Sequence, residues 1–270
     1  MAQIIAVANQ KGGVGKTTTA VNLAACLAEA GRRALIVDLD PQANATVGLG
    51  VDKKALPLST YEVLLGGAPA SEAIIELGDH ALHLIPSSPA LTGAEIELVP
   101  VLAREQVLVR ALAPLAEHYD FILLDSPPSL GLLTLNALTA AHGLLVPIQC
   151  EYYALEGISA LLDTVKRVQG SLNPGLVVYG ILLTMADART NLTEQVIANV
   201  RDYFGSQVFQ TVIPRNVRLS EAPGFGQPII NYDATAPGAG AYRALAKEVM
   251  DREEASSGQG TGSAHSVGAA

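Results

Sequence analysis

The segment Gln3-Ile4-Ile5-Ala6-Val7-Ala8-Asn9-Gln10-Lys11-Gly12-Gly13-Val14-Gly15-Lys16-Thr17-Thr18 decides how this chain folds. Residues 4–8 are a short apolar run, partly β-branched, that meets glycines at once, and they read as a buried strand. Residues 17–30 are good helix formers, with Leu23 and Leu27 at helical spacing and Gly31 placed to cap the end. A strand that enters a glycine-rich turn and leaves as a helix makes an anion site. The glycines let backbone N–H groups turn inward, and the helix N-terminus adds partial positive charge. Lys16 then places an ammonium on the β- and γ-phosphates of a nucleotide, and Thr17 offers its hydroxyl to Mg²⁺. The phosphate-holding set is Lys11, Gly12, Gly13, Val14, Gly15, Lys16, Thr17 and Thr18. The usual pattern G-x-x-x-x-G-K-[ST] is broken at its first position, where Gln10 stands, and Lys11 supplies a second cation. Lys11 can neutralise charge that Lys16 does not reach, and can extend to a neighbouring subunit's nucleotide; a solvated surface lysine is the alternative.

Outward from this loop the same alternation repeats. Residues 34–38, 82–86, 121–125, 144–148 and 176–183 are apolar runs of strand length. Residues 105–117, 154–168, 192–204 and 241–254 read as helices, and the stretch 52–100 is less regular. Continuous apolar strands separated by helices predict an α/β fold: a single P-loop NTPase domain over residues 1–254, with a mostly parallel twisted sheet and helices on both faces. Residues 255–270, rich in Ser, Gly and Ala without apolar periodicity, read as a disordered tail. Ligands of such sheets sit beyond the carboxyl ends of the strands. Asn9, Asp38, Asp40, Asp125 and Gln149 all fall there.

Three of these residues are acids. Asp125 follows four apolar strand residues, the position from which a P-loop NTPase supports Mg²⁺ through water. Asp38 and Asp40, two residues apart, share a face if the strand continues. A carboxylate beside the γ-phosphate can position or deprotonate the attacking water, which makes Asp40 the candidate catalytic residue together with Lys11. Asp38 reads equally well as a turn residue.

The 270 residues carry a formal net charge of −9, so no global field draws nucleic acid to the chain, and DNA binding needs a local basic patch. Arg189, Arg201, Arg215, Arg218, Arg243 and Lys247 are concentrated in the last third, where such a patch can form. Asp187, Glu194, Asp202 and Glu221 lie among them, so ordinary surface ion pairing is the alternative for any one arginine. Cys26 and Cys150 form no CxxC motif and read as small buried residues in a reducing cytosol, with an inter-subunit metal cluster as the alternative. No basic leader precedes the first strand and no apolar run approaches the ~20 residues that span a bilayer, so a cytoplasmic protein without a membrane partner is expected.

At these residues a resemblance becomes specific. Lys11-Gly12-Gly13-Val14-Gly15-Lys16-Thr17-Thr18 resembles the deviant Walker A loop of the ParA/MinD ATPases. Asp38-Leu39-Asp40-Pro41-Gln42 with Asn44-Ala45-Thr46 is similar to the ParA switch I, and residues 121–128 to its Walker B and switch II. The segments 187–192 and 213–223 resemble the Soj branch of chromosomal ParA proteins. The resemblance implies an ATP- and Mg²⁺-dependent sandwich homodimer in which Lys11 of one subunit reaches the nucleotide of the other. It further implies Asp40 as the hydrolysis residue, Pro214 and Asn216 in the adenine pocket, and Arg189 and Arg218 on DNA phosphates. The expected partners are double-stranded DNA bound without sequence preference and a ParB-type centromere-binding protein that stimulates hydrolysis, with association with the nucleoid. A monomer acting on a replication initiator is a further role such proteins can take. Ala43 departs from the family pattern, which has Gly there. A MinD-like membrane-surface role needs a basic amphipathic C-terminal helix, which residues 256–260 do not begin.

Overall fold

The computed structural model describes residues 1–78, 81–151 and 158–259, the last four of these by backbone alone. Eight strands form one sheet: β1 Gln3–Val7, β2 Ala34–Asp38, β3 Ile75–Leu77, β4 Leu82–Ile85, β5 Phe121–Asp125, β6 Gly143–Gln149, β7 Val177–Ala186 and β8 Val208–Pro214. Their order is β3-β4-β2-β5-β1-β6-β7-β8. β3 runs antiparallel to β4 and every other neighbouring pair is parallel. The helices are α1 Lys16–Glu29, α2 Asn44–Gly48, α3 Thr60–Leu65, α4 Leu91–Glu97, α5 Val107–Leu112, α6 Leu132–Ala140, α7 Ile158–Ser171, α8 Asn191–Phe204, α9 Val217–Glu221, α10 Ile229–Tyr232 and α11 Pro237–Gln259.

The continuous apolar strands follow from burial on both faces. Ile4, Ala6, Leu35, Val37, Ile122 and Leu124 face one cluster, which Leu91 of α4, Leu108 of α5, Leu138 of α6 and Leu161 of α7 also build. The alternate residues Ile5, Val7, Ile36 and Leu123 face a second cluster with Leu23 and Leu27 of α1 and Tyr242 and Leu245 of α11. The chain steps from β1 outward to β2, returns to β5 beside β1, and then runs out the other way through β6, β7 and β8. The reversal brackets β1, so the carboxyl end of β1 opens onto the crevice where such sheets bind ligands.

Several elements differ from their sequence-based expectation. Residues 105–117 do not form one helix: α5 is a six-residue segment, flanked by 3₁₀ turns at Arg104–Gln106 and Ala113–Leu115. Pro114 has no N–H to give a continuing helix and clashes with the preceding turn. β8 and α6 carried too weak a period to be predicted. β8 is an edge strand with only part of its residues buried, and α6 is so nearly apolar that no single face marks it. The expected start of a helix at 154 lies outside the described residues. α11 begins earlier than 241 and continues to Gln259, into the stretch expected to be tail, while 260–270 lie outside the described residues.

Candidate nucleotide site

Gly13 (φ +73°) and Gly15 (φ +90°) take left-handed backbone that a Cβ disfavours, and this turns the loop after β1 over the start of α1. The loop is pinned from beneath. Asn9 donates from Nδ2 to the Pro147 carbonyl at 2.7 Å and accepts from the Lys11 N–H at 3.0 Å. Thr184 of β7 donates its hydroxyl to the Val14 carbonyl at 2.9 Å. α1 begins after Gly15 with no side-chain cap and no acid in its first turn, so its N-terminal dipole faces the crevice uncompensated.

A cavity of about 560 Å³ opens there, lined among others by Gly12, Gly13, Gly15, Lys16, Thr17, Thr18 and Asp40. A second cavity of about 340 Å³ is lined by Pro214, Asn216 and Tyr242 and shares Gly15, Thr18, Met185 and Pro223 with the first. The two cavities adjoin through these shared residues, so the phosphate loop opens into a continuous cleft that reaches Pro214 and Asn216.

Lys16 is 7% exposed and its Nζ lies 3.3 Å from the Lys11 carbonyl. Burial lowers its pKa, and the carboxylates of Asp125 and Asp40 oppose that shift. Asp125 is fully buried at the end of β5, and neither carboxylate oxygen has a hydrogen-bond partner. Its pKa is raised well above the carboxylate range by burial and by the neighbouring Asp38 charge. The Thr17 hydroxyl and the Lys16 ammonium oppose the rise, the hydroxyl from outside hydrogen-bonding geometry. A buried carboxylate with two orphaned oxygens beside a threonine hydroxyl lacks a cation or a cation's water. Hard oxygen donors at the mouth of a phosphate site fit Mg²⁺.

The two switch I acids separate. Asp40 faces the cavity and its Oδ1 accepts the Gln42 N–H at 2.9 Å. Its backbone carbonyl is fixed by Ser87 Oγ at 2.7 Å. Asp38 is turned away: Oδ2 accepts from the Thr46 N–H at 2.9 Å and hydroxyl at 2.7 Å, and Oδ1 from the Asp40 N–H at 3.1 Å. Burial pushes the Asp38 carboxyl up to about 6 against the pull of those bonds. Asp38 is thus the post on which α2 and the Asp40 loop are hung. Ala43, the residue before α2, sits at φ +56°, which explains the advantage of Gly there.

The remaining candidates are placed as follows. Lys11 does not line either cavity; its ammonium lies 3.4 Å from Glu151 Oε2, with both side chains about half exposed. Val14 is buried and takes part through its backbone. Asn216 lines the smaller cavity and caps α9, its side-chain oxygen accepting the Arg218 N–H at 2.9 Å. Arg189 is paired with Asp187, and Arg218 with Glu221 and Asp233. Cys26 and Cys150 are buried in the clusters on opposite faces of the sheet, and burial pushes their thiols up to about 12 and about 11. Sequence reasoning missed Met185, which lines both cavities at φ +53°, a strained conformation for a non-glycine. It also missed Asn22, whose amide bonds the Thr18 carbonyl at 2.8 Å and the Ile229 N–H at 2.7 Å. A polar side chain inside the Ala/Leu run of α1 was the available signal for Asn22; Met185 left none.

A family model described as an AAA domain matches residues 2–178. The sporulation initiation inhibitor protein Soj of Bacillus subtilis is 57% identical over 249 residues, covering 92% of this chain and 98% of that protein. The chain belongs to the ParA/Soj family of chromosome-partitioning P-loop ATPases. The chromosome-partitioning ATPase Soj of Thermus thermophilus is 56% identical, covering 92% of this chain and 95% of its own. Among solved structures, cobyrinic acid a,c-diamide synthase of Mycobacterium smegmatis, with bound ATP analog and magnesium, superposes with a TM-score of 0.84 at 41% identity, covering 95% of this chain and 97% of its own. The family's ATPase fold is therefore the fold expected for this chain: one α/β unit whose sheet is parallel except at β3. Among the described residues no helix is long and apolar enough to cross a membrane.

Proposed function

We propose that this chain is a slow ATPase whose ATP-bound homodimer binds double-stranded DNA without sequence preference and drives chromosome or plasmid partitioning. A ParB-type centromere-binding partner stimulates hydrolysis and releases the subunits, and the ATP form is associated with the nucleoid. The observation that carries this reading is the position of Lys11. It sits at the mouth of a complete phosphate site, outside the cavities, on an exposed ion pair that costs little to break. A cation so placed is available to a second subunit's nucleotide. The higher identity to the Soj proteins supports partitioning over the activity named for the M. smegmatis neighbour.

In this reading Lys16 and the N–H groups of residues 12–18 hold the phosphates, and Pro214 and Asn216 flank the adenine. Thr17 and Asp125 would hold Mg²⁺, and the ion would supply charge neutralisation at the phosphates. Asp40, fixed through its carbonyl by Ser87, orients the attacking water and accepts its proton. Arg189, on the loop after β7, and Arg218, in α9 after β8, meet DNA phosphates.

The test is DNA co-sedimentation with ATP, ADP and no nucleotide across a salt series. ATP-dependent, sequence-independent binding that weakens with salt is expected. Arg189→Glu weakens DNA retention and leaves ATP-dependent dimerisation intact; loss of dimerisation in that variant makes Arg189 structural and removes it from the DNA surface.

A further inference from the structure

We propose that Asp187 is an internal competitor for the DNA phosphates that Arg189 would hold, and that it sets how readily the protein lets go of DNA. The proposal rests on the DNA-binding reading above. The last residues of β7 and β8 lie side by side, with Ala186 paired to Pro214 and the Arg215 N–H donating to the Ala186 carbonyl at 2.9 Å. The segments that leave these two strand ends carry Arg189 on the loop after β7, and Arg215 and Arg218 on the turn and first residues of α9 after β8.

Asp187 stands at the start of the first of these segments. Its Oδ1 accepts from Arg189 Nε at 2.9 Å and from the Arg189 backbone N–H at 3.1 Å, and its Oδ2 accepts from Nη2 at 2.7 Å. The guanidinium fork is closed on a carboxylate in the way it would close on a phosphate. Arg189 is 85% exposed and packs under nothing, so the pair does not serve the core. The Arg189 hydrogen bonds, with a smaller contribution from the Arg215 charge, hold Asp187 far below the usual carboxylate range. Arg218 is occupied in the same manner, by Glu221 at 2.9 Å and Asp233 at 3.5 Å. Arg215 makes no ion pair among the described residues. Two of the three arginines must therefore exchange an internal acid for DNA.

Such an exchange lowers affinity without lowering the number of phosphates touched. Exposed ion pairs contribute little, so the exchange is reversible, and the carboxylate waits beside Arg189 to recapture it when the DNA leaves. An Asp187→Asn variant keeps an oxygen for the Arg189 backbone N–H and so keeps the turn, but loses the charge that competes.

DNA retention with ATP, measured over a salt series, separates the possibilities. Asp187→Asn is expected to bind roughly two- to fivefold more tightly per subunit than the parent chain. The log–log salt slope stays the same, because the number of phosphate contacts is the same. Asp187→Ser carries the same expectation should the first variant fail to dimerise with ATP. Glu72→Gln, an equal charge change near the opposite edge strand β3, is expected to leave retention unchanged. Equal or weaker binding by both Asp187 variants overturns the proposal and makes Asp187 a residue that positions Arg189. An equal gain in Glu72→Gln overturns it as a general charge effect. A parent chain that shows no ATP-dependent DNA binding at all fails the function reading itself and removes the competitor with it.

Discussion

Lys16 and Asp125 are a buried cation and a buried carboxylate at the mouth of the phosphate loop, and both oxygens of Asp125 are left without a hydrogen-bond partner. Such groups are costly unless a ligand completes them, about 1–3 kcal/mol for an orphaned polar atom. Lys16→Ala is expected to lose ATP binding; retained micromolar binding in equilibrium titration contradicts the phosphate-loop assignment. Asp40 lines the cavity while its backbone is held through its carbonyl by Ser87, so Asp40→Ala is expected to bind ATP and dimerise while turning over at least tenfold more slowly. Unchanged phosphate release in that variant removes Asp40 from the mechanism. Ala43 carries a left-handed backbone that costs an L-residue about 1–2 kcal/mol. Part of the gain from glycine is offset by its greater unfolded-state entropy, so Ala43→Gly is expected to stabilise by about 0.5 kcal/mol in denaturant titration. A loss of stability shows that the strain is absorbed elsewhere in the α2 loop.

Elements carry the site to its place, and α11 does so most directly. It packs along α1, with Tyr242 fully buried and its hydroxyl 3.3 Å from Thr19 Oγ1, while Tyr242 also lines the smaller cavity beside Pro214 and Asn216. Leu245, 0% exposed on the same face, has no room to be replaced by solvent. Leu245→Ala is expected to cost about 2–5 kcal/mol, read as a lower melting temperature, and to weaken nucleotide binding through α1; an unchanged nucleotide affinity in the destabilised variant refutes that coupling. The strands β1, β2, β5 and β6 were legible because each is a fully apolar run ended by a polar residue. α5 was over-extended because the apolar period runs past Pro114, and the residue types around it do not reveal where the backbone tightens into 3₁₀ turns. β8 is half-polar at a sheet edge, and α6 buries Thr134, Asn136 and Thr139 among its leucines so that no polar face marks it; both were missed for want of a period.

At the scale of the molecule, three carboxylates meet beyond the strand ends, and their titration is a property of the fold. Asp38 is pushed up to about 6 and Asp125 is raised well above its ordinary value of 3.8. A carboxyl whose folded pKa exceeds its unfolded one contributes stability below the unfolded value and loses it as pH rises through the folded one. Without nucleotide and Mg²⁺, Asp125→Asn is therefore expected to melt close to the parent at pH 4 and above it at pH 8. A difference of the same size at both pH values shows that ionisation of Asp125 is not what destabilises the empty site. The parent gains the lost stability back on adding Mg²⁺ with nucleotide, and the Asn variant gains less.

Local chemistry along the chain determined the phosphate loop, the parallel sheet that bears it and the family to which the chain belongs. A glycine-rich turn between an apolar strand and a helix needs no distant residue to declare itself. Only the tertiary structure decided which acid does what. Asp38 and Asp40 look alike in sequence, and the Thr46 bonds that draw Asp38 out of the site come from a helix eight residues on. It also decided that Arg189 is held by Asp187 and Lys11 by Glu151. The reason is physical: a side chain's partner is set by which strand ends the sheet brings together, and that order, β5 between β2 and β1 and β8 beside β7, is written in packing across the whole chain.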